Sequence, residues 1–301
     1  METRRLQLLV ELARLGSMRA VADELGYTTS TVSQQIAVLT REARTPLVEP
    51  VGRRVRLTPA GRRLADHAVT ILAAVTAAHA DLDPAADPTG TVRIAGFATA
   101  VRRSLLPVVS TLATDHPAVR VIVAEHEPAE ALGLLTDDEV DLALTYDYDL
   151  APASLDRTVE AVPLWSTAWS LGVPSDLARE ATGDAPAIVA RFRHHDWIVN
   201  SRNTADEQVV HVLASMAGFE PRITHRADSL ELVHDLVLGG LGVALLPADQ
   251  AVPPGVRLLP LSGPGVALRA FAVFRRGRRA WAPLSLVIAL LAPRRPAPPG
   301  A

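Results

Sequence analysis

The spacing of hydrophobic residues near the start of the chain predicts three short helices, the first over roughly residues 4–15. Their apolar faces are formed by Leu6, Leu9, Val10 and Ala13, by Ala20, Val21 and Leu25, and by Val32, Ile36 and Leu39. Gly16 and Gly26 stand where glycine commonly follows a helix C-terminus. Ser17 and Thr28 stand where a hydroxyl side chain caps a helix N-terminus. The pattern therefore predicts a tight turn at Gly26 between the second and third helices.

An uncharged polar face is predicted on the third helix. Opposite its apolar stripe stand Thr29, Ser30, Ser33, Gln34 and Ala37. Two short helices joined by a glycine turn are typical of a helix-turn-helix, whose second helix meets base edges in the major groove. Gln pairs with adenine through two hydrogen bonds, and Thr methyl groups contact thymine. The alternative on these residues alone is a three-helix bundle with a solvated polar face.

A basic hairpin is predicted next, from the sequence VEPVGRRVRL at residues 48–57. Gly52 takes the turn, Arg53 and Arg54 lie at the tip, and Arg56 follows on the second strand. A basic hairpin beside a helix-turn-helix is typical of a wing that contacts phosphates or the minor groove. The hairpin therefore favours the DNA-binding interpretation over the solvated bundle.

A long helix over residues 59–82 is predicted to follow, with Thr58 as its N-cap and Pro59 as its first residue. Its apolar positions are spaced four and three apart, as in a heptad seam, and are Leu64, Ala68, Ile71, Val75, Ala78 and Leu82. Such a seam favours a coiled coil that holds two DNA-binding heads at a fixed separation. The alternative is an amphipathic helix folded back on its own domain. Residues 83–90, DPAADPTG, are predicted to form a hinge.

Strand and helix patterns alternate through the body of the chain and predict a parallel α/β domain. Strands are predicted near residues 91–98, 118–126, 141–146, 164–174, 195–200, 221–228, 243–247 and 266–277, and helices near 98–117, 128–140, 205–217, 229–239 and 282–292. Residues 294–301, RRPAPPGA, are predicted to be a disordered tail.

Ligands in open α/β domains bind beyond the carboxyl ends of strands, near helix N-termini. Candidate residues at such places are Phe97, Ala98, Thr99 and Ala100, then Thr145 and Tyr146, then Asn200, Ser201, Arg202, Asn203 and Thr204, and Gly242. Free backbone N–H groups together with Arg202 favour an anion. The acidic run 146–149, YDYD, leaves a cationic or zwitterionic ligand as the alternative. For Thr204, the alternative is a plain capping box with Glu207.

Charge is unevenly distributed along the chain. Residues 1–66 contain 11 arginines against 7 acidic residues, whereas the remainder contains 19 arginines against 26 acidic residues. A basic head on an acidic body indicates a polyanionic partner for the head, with chance unevenness as the alternative. No apolar run is typical of a signal peptide or of a membrane span, so we expect a cytoplasmic protein without a membrane partner.

Catalytic, metal and cofactor motifs are missing from the sequence. The absence of cysteine excludes disulfides, thiolate zinc sites and cysteine nucleophiles. His194 and His195 stand next to Asp196, but adjacent side chains rarely converge on one ion, so we expect them to be solvated. Glu207 and His211 share a helix face without a third ligand. We therefore expect no enzyme activity, no metal and no cofactor.

Several motifs combine along the head: LGS before the second helix, A-x-x-L-x-x-(S/T) at the turn, S-x-Q-I-x-x-L in the third helix, and GR-x-x-x-LTPAG through the wing. In this combination the head resembles the LysR-type transcriptional regulators. The body is similar to the effector-binding half of that family through weaker motifs, G-x-V-R-I, V-D-L-A-L and V-x-x-G-x-G-V-A-L-L-P. The resemblance covers nearly the whole chain.

The resemblance implies an α/β multidomain protein, in which a winged helix-turn-helix and a long linker helix precede a two-subdomain effector-binding domain similar to type II periplasmic binding proteins. The implied boundaries are 1–58 for the DNA-binding domain, 59–89 for the linker helix and hinge, and 90–296 for the effector-binding domain, with subdomain I at 90–161 and 268–296 and subdomain II at 162–267.

The resemblance also implies partners and contacts. The partners are double-stranded promoter DNA, a small-molecule effector, further copies of the chain in a dimer or tetramer, and RNA polymerase. The implied DNA-facing residues are Thr29, Ser30, Thr31, Ser33, Gln34, Gln35, Arg53, Arg54 and Arg56. The chain departs from the family with Gln34 in place of Arg or Lys, Arg44 in place of Gly, Val48 in place of Phe and Pro50 in place of Arg. The loss of two basic residues predicts weaker phosphate-driven affinity.

Two other functions compete with an effector-controlled regulator. One is a small-molecule binding protein whose head mediates dimerisation or protein interaction. The other is a DNA-binding regulator whose body takes no effector.

Overall fold

The computed structural model describes residues 1–51, 54–82, 87–178 and 182–292. Several predictions fall outside the described residues: the turn at Gly52, Arg53, the Arg54 side chain, the centre of the hinge and the C-terminal tail.

Three helices and a two-stranded hairpin form the head. They are α1 Thr3–Leu15, α2 Met18–Leu25, α3 Thr29–Ala43, β1 Val48–Val51 and β2 Arg54–Leu57. The predicted caps are confirmed: the side chain of Ser17 accepts from the Ala20 N–H, and that of Thr28 accepts from the Thr31 N–H. Gly26 takes the left-handed conformation at φ 69°, which ends α2 and begins the predicted turn.

The linker helix α4 spans Pro59–Leu82, as predicted. Thr58 caps it by accepting the Gly61 N–H at 3.0 Å, and its own hydroxyl donates to the Pro46 carbonyl at 2.6 Å. A Cβ at Gly61 would lie 2.0 Å from the Leu47 carbonyl oxygen, so only glycine lets α4 pack this closely on the head. The LTPAG motif therefore fixes the start of α4 against the head.

The predicted heptad seam on α4 is wrong in its first half. Ala68 is fully buried in the core of its own head, and Leu64 packs on that same core. Among the side chains of α4 that the structure describes beyond its first turn, the exposed apolar ones are instead Ile71, Ala74 and Ala78. Val75 is half-buried, and the Leu82 side chain lies outside the described residues. A heptad seam and a helix face folded on its own domain share nearly the same spacing, so sequence periodicity could not separate them.

Alternating strands and helices form the body. The strands are β3 Gly90–Gly96, β4 Val119–Glu125, β5 Leu142–Tyr148, β6 Val159–Pro174, β7 Asp196–Val199, β8 Arg222–Arg226, β9 Val243–Pro247, β10 Val256–Pro260 and β11 Ala267–Arg275. The helices are α5 Ala98–Ala100, which continues through a π-helical turn at Val101–Leu105 into α6 Leu106–Asp115, then α7 Pro128–Thr136, α8 Ala185–Ala190, α9 Ala205–Met216, α10 Leu230–Leu238 and α11 Ala282–Leu291. A short 3-10 turn spans Arg278–Ala280. The sequence patterns did not predict α8 or β10.

The sheet of the body is mixed rather than parallel. Its order is β4-β3-β5-β11-β6-β9-β7-β8, and β10 pairs with β6. β3 is parallel to β4 and β5, and β7 is parallel to β8 and β9, whereas β11 and β6 run antiparallel to their neighbours. The body thus contains two small parallel sheets joined by two antiparallel crossing strands.

The crossing lies in the middle of β6 rather than at residue 162. Residues Val159 to Ala168 pair with β11, and residues Trp169 to Gly172 pair with β9. The chain returns through β11, which starts at Ala267. The carboxyl ends of β3 and β5 and those of β7, β8 and β9 face each other across this crossing, which creates the cleft described below.

Candidate functional site

Helix α3 presents an exposed, uncharged polar face. Val32, Ile36 and Leu39 are buried against α1 and α2, and this orients the opposite side of the helix to solvent. The side chains exposed there are Thr29, Ser30, Ser33, Gln34 and Ala37. All are short or uncharged, so the α3 backbone can approach a flat or grooved partner closely.

Two of the predicted DNA-facing residues of α3, Thr31 and Gln35, are half-buried within the head. The Arg5 Nε donates to the Gln35 Oε1 at 3.0 Å, and Arg5 also pairs with Glu42 at 2.5 Å. Thr31 is half-buried, with its hydroxyl 2.8 Å from that of Thr28. Gln35 therefore lies on the flank of α3 that faces α1, and the exposed face is narrower than predicted.

The β1–β2 hairpin lies beside α3 in the chain and has the predicted antiparallel pairing. Glu49 and Arg56 stand opposite each other in the register, and the Arg56 guanidinium bonds the Glu49 carboxylate at 2.7 Å and 3.0 Å. Arg56 is exposed, so this pair is a weak surface contact that a phosphate can displace. Arg54 pairs with Val51 at the end of the ladder.

A second candidate site is a cavity of about 920 Å³ between the two parts of the body. Its wall includes the loop after β3, the end of β5, the middle of β6, and the loops that follow β7, β8 and β9. Four aromatic side chains line it: Phe97, Tyr146, Trp165 and Trp169. Its size and its partly aromatic wall are typical of a small-molecule site.

The structure brings six of the predicted ligand residues to this cavity: Phe97, Ala98, Thr99, Tyr146, Asn200 and Arg202. The other predicted residues lie outside its wall. Ala100 and Thr145 are buried, and Ser201 and Thr204 are exposed. Gly242 serves packing, since a Cβ there would lie 2.6 Å from the Asp196 carbonyl oxygen.

The capping-box alternative for Thr204 is also wrong. Its side chain makes no cap hydrogen bond, and the Asn203 Oδ1 accepts the Ala205 N–H at 2.7 Å instead. Glu207 bonds Arg226 at 2.8 Å rather than turning back to the helix start. Asn203 thus fixes the start of α9 and reaches the cavity network with its amide group.

Sequence reasoning missed the acidic side chains of the cavity. Glu127 and Asp206 line it together with Trp165 and Trp169. Glu127 was recognisable only as the first residue of a capping box with Glu130, in which the Glu127 N–H donates to Glu130 at 3.1 Å. Nothing in the local sequence indicates that this cap faces a strand end and a helix from the other part of the body.

A polar network joins the two parts of the body at the floor of the cavity. The Asn203 amide donates to the Tyr146 hydroxyl oxygen and lies 3.4 Å from the Glu127 Oε2. The Tyr146 hydroxyl is also 3.4 Å from that Oε2, and the Tyr148 hydroxyl donates to the Asp206 Oδ1 at 2.7 Å. Two tyrosines from β5 therefore meet residues at the start of α9.

Burial dominates the acid–base behaviour of this network. It raises the pKa of Glu127 from 4.5 to about 7, although the hydrogen bond from Asn203 acts in the other direction. Burial also raises the pKa of Asp206 from 3.8 to about 6, against the hydrogen bond from Tyr148. The pKa values of Tyr146 and Tyr148 lie well above 10 for the same reason. In each of these four groups, the cost of burying the charged form outweighs any hydrogen bond that favours it.

Two arginines at the cavity bridge between its walls. The Arg103 guanidinium lies 4.4 Å from the centroid of the Trp165 ring and 3.6 Å from Asp249. Arg202 bonds Asp228 at 2.7 Å and reaches Glu130 at 3.4 Å. Both arginines are therefore already paired with carboxylates.

The histidines and acidic residues form no metal cluster in the part of the chain that the structure describes. Among those residues no group of three His, Asp or Glu side chains is arranged to hold a metal ion. His194 is exposed, as expected, whereas His195 is half-buried because its ring packs on Phe192 with centroids 5.3 Å apart. No helix in the described ranges is long and apolar enough to cross a lipid bilayer.

Comparison with known proteins matches both the head and the body of the chain to one family. Residues 3–62 match the bacterial regulatory helix-turn-helix model of the lysR family, and residues 85–295 match the LysR substrate binding domain model. The transcriptional dual regulator GltC of Bacillus subtilis is 27% identical over 290 residues, which cover 94% of this chain and 93% of that protein. The dual regulator OxyR of Escherichia coli is 27% identical over 299 residues, covering 92% and 90%. These relatives are transcriptional regulators rather than enzymes.

Solved structures share the fold over nearly the full length. A full-length OxyR variant from Pseudomonas aeruginosa has a TM-score of 0.73 at 17% identity and covers 97% of this chain and 94% of that chain. CbnR complexed with its target DNA has a TM-score of 0.53 at 20% identity and covers 97% and 99%. The chain therefore belongs to the LysR family of transcriptional regulators, with a helix-turn-helix DNA-binding domain followed by an effector-binding domain.

Proposed function

We propose that this regulator acts in the cytoplasm as a homo-oligomer, a dimer or tetramer, on double-stranded promoter DNA. Two heads bind an interrupted inverted repeat, and a small molecule in the cavity controls their arrangement. The change of DNA bend and spacing then alters the recruitment of RNA polymerase. The observation that carries this proposal is the exposed, uncharged row of Thr29, Ser30, Ser33 and Gln34 on α3.

The head divides recognition between its two elements. Gln34 has an exposed amide that suits the two hydrogen-bonding groups of adenine, and the hydroxyl residues near it allow close approach to the major groove. Arg53, Arg54 and Arg56 of the wing supply positive charge for phosphates or the minor groove. Affinity then comes mainly from the wing, and sequence preference comes from α3.

The cavity is the proposed effector site. It lies where two parts of the body meet at a crossing of two strands, so a ligand there contacts both parts. A ligand that binds one relative arrangement more tightly shifts an existing equilibrium between arrangements. A preference of about 1–3 kcal/mol is enough for regulation. Since the chain has no cysteine, its signal does not depend on thiol oxidation.

Contacts between α4 and the body offer a route from the cavity to the head. Arg275, at the end of β11, bonds Asp66 of α4 at 2.5 Å and Asp138 at 3.5 Å. The Thr70 hydroxyl lies 3.5 Å from the Arg276 carbonyl oxygen. Because β11 is one of the two strands that cross between the parts, a movement of these parts would act directly on α4.

Two neighbouring glutamines allow a matched test. Gln34→Ala removes an exposed amide, whereas Gln35→Ala removes an amide that Arg5 holds within the head. We expect Gln34→Ala to lower the preference for a fragment of upstream DNA over a scrambled fragment by about tenfold, as for the loss of one good base contact. Gln35→Ala is expected to keep that preference. Gel-shift titrations on both fragments measure it.

The proposed role of the wing in phosphate contact is tested at Arg53. Arg53→Ala should weaken binding to the two fragments alike and reduce the dependence of affinity on salt by one phosphate contact. Equal effects of Gln34→Ala and Arg53→Ala on the two fragments would contradict the assigned roles.

A further inference from the structure

We propose that the cavity binds an organic ammonium compound, whose positive charge is held by Glu127 and Asp206 among aromatic rings. This inference rests on the proposed function, because it names the chemical class of effector for the cavity.

The charge of the cavity wall favours a cation. The charged residues that line it are the arginines Arg102, Arg103 and Arg202 and the carboxylates Glu125, Glu127, Asp206, Asp228, Glu231 and Asp249. Two of the arginines are bonded to carboxylates of the same wall, at 2.7 Å for Arg202–Asp228 and 3.6 Å for Arg103–Asp249. Carboxylates remain in excess after these pairs are formed, and a cation entering the cavity meets a negative field.

Two of the excess carboxylates, Glu127 and Asp206, belong to the polar network at the cavity floor. Glu127 is only 6% exposed. In the described part of the chain, neither Glu127 nor Asp206 has a basic group within 4.0 Å. Their partners are neutral: the side chains of Tyr146, Tyr148 and Asn203, the Glu130 backbone for the Glu127 cap, and the Asn200 backbone for Asp206. Unpaired carboxylates in such surroundings are costly, and a ligand cation removes that cost.

Aromatic rings concentrate at this cavity, although the chain has few of them. Four of its twelve aromatic residues line the cavity, namely Phe97, Tyr146, Trp165 and Trp169. The faces of such rings attract organic cations. Arg103 already lies over the face of Trp165, which shows that a cation is accommodated there. Phe97 and Tyr146 pack edge to face, 4.7 Å apart, next to Glu127.

Other ligand classes fit the wall less well. An inorganic cation lacks a binding cluster in the described residues. For an anion, Arg202 is the candidate from the sequence, but Asp228 and Glu130 hold its guanidinium, and the remaining lining arginine, Arg102, is outnumbered by the unpaired carboxylates of the wall.

Four probes of equal length separate the classes: 1,4-diaminobutane, 4-aminobutyrate, 1,4-butanediol and succinate. Titration calorimetry on the full-length protein without DNA compares their affinities. We expect the two ammonium probes to bind, and butanediol and succinate to bind at least tenfold more weakly. Tighter binding of succinate, or the absence of binding by both ammonium probes, would overturn the proposal.

Charge-neutralising variants locate the site within the cavity. Glu127→Gln keeps a cap acceptor and the shape of the side chain, and Asp206→Asn keeps the group that accepts from Tyr148. Each should weaken ammonium binding by about tenfold or more, as for the loss of a charged partner. Glu231→Gln is the matched control, since Glu231 lines the same cavity but is exposed at its mouth. An equal loss in all three variants would contradict a specific role for Glu127 and Asp206.

The direction of proton transfer gives an independent readout. Because the pKa of Glu127 is raised to about 7, a bound cation should lower it and release protons near neutral pH. Calorimetry in buffers of different ionisation enthalpy measures this release, whereas a bound anion would take protons up. All of these experiments omit DNA, so a failure of the regulator to bind its promoter would overturn the proposed function without affecting this result.

Discussion

Arg44 ends helix α3 in the left-handed conformation, at φ 52° and ψ 28°. Glycine adopts this conformation freely, whereas a residue with a Cβ is strained there by about 1–2 kcal/mol. We therefore expect Arg44→Gly to stabilise the head by about 0.5–1 kcal/mol, once the greater freedom of glycine in the unfolded chain is counted. Hydrogen exchange of the α3 amides measures the change.

The control for this substitution is Arg41→Gly, one turn earlier in the same helix. Arg41 is exposed like Arg44 but lies within α3, so glycine there should cost about 1 kcal/mol. A stabilising effect of both substitutions would show that arginine charge, rather than backbone conformation, is responsible.

Residues were predictable from the sequence where their role is local. Ser17 and Thr28 cap helices through hydrogen bonds to residues three positions away, and both were identified. Glu127 and Asp206 were missed because their surroundings come from elements 19 to 79 residues apart, as in the Glu127 contact with Tyr146. Local sequence carries no signal for that kind of burial.

At the scale of elements, one of the wing's basic residues, Arg56, is already ion-paired within the wing. Glu49 pairs with Arg56 across the hairpin and competes with phosphate for its guanidinium. We expect Glu49→Gln to raise affinity for any DNA sequence by about two- to fivefold and to steepen the salt dependence by about one phosphate contact. Arg56→Ala should lower affinity for all sequences. Fluorescence anisotropy at several salt concentrations tests both, and a change in sequence preference would count against this role.

The exposed face of α4 carries the second prediction at this scale. Ile71 is 42% exposed, and Ala74 and Ala78 continue the same face. We expect Ile71→Glu to shift the assembly towards monomers by at least tenfold in dissociation constant, because it places a charge in an apolar contact. Sedimentation velocity measures the assembly. Met216→Glu introduces the same charge at an exposed apolar side chain of α9 and should leave the assembly unchanged. Equal behaviour of the two variants would exclude this face as the contact.

The length of α4 was predictable, but the direction of its faces was not. Thr58, Pro59 and the apolar periodicity give the bounds of the helix. Which apolar residues face the head depends on the angle at which α4 packs on α1, and Gly61 sets that angle by its contact with Leu47. This angle depends on tertiary contacts that the local sequence does not show. The predicted seam therefore included residues that the head buries, such as Ala68.

At the scale of the whole molecule, the cavity makes stability depend on pH. The pKa of Glu127 rises from 4.5 to about 7 on folding. In the pH range between these two values, the folded chain therefore keeps a proton that the unfolded chain has released. Stability should therefore be greatest at low pH within the range and fall as pH rises through 7. Glu127→Gln should flatten this fall and stabilise the protein at about pH 8 by roughly 1–3 kcal/mol.

Thermal unfolding between about pH 5 and about pH 8 tests this effect. Glu231→Gln is a suitable control. Hydrogen bonding to Ser229 lowers the pKa of the Glu231 carboxyl, so this group titrates below the pH range of the experiment. The stability of this variant should follow that of the unaltered protein at each pH. A Glu127→Gln curve parallel to the unaltered one would contradict the origin of the effect.

The order of elements in the body was largely predictable, whereas their pairing was not. Alternating strands and helices indicated an α/β domain, but β6 and β11 run antiparallel to their neighbours and make the sheet mixed. Periodicity marks burial and not strand direction, so this feature depends on long-range contacts. One of these crossing strands, β6, positions the aromatic residues Trp165 and Trp169 at the cavity.

The central claim is that the head binds promoter DNA through α3 and the wing. Its most direct test is the affinity of the full-length protein for the DNA upstream of its own gene and for a scrambled fragment, measured as salt is raised. We expect preferential binding to the upstream DNA and at least roughly a tenfold loss of affinity between about 50 and about 200 mM salt. Equal affinity for both fragments together with no salt dependence would contradict the claim.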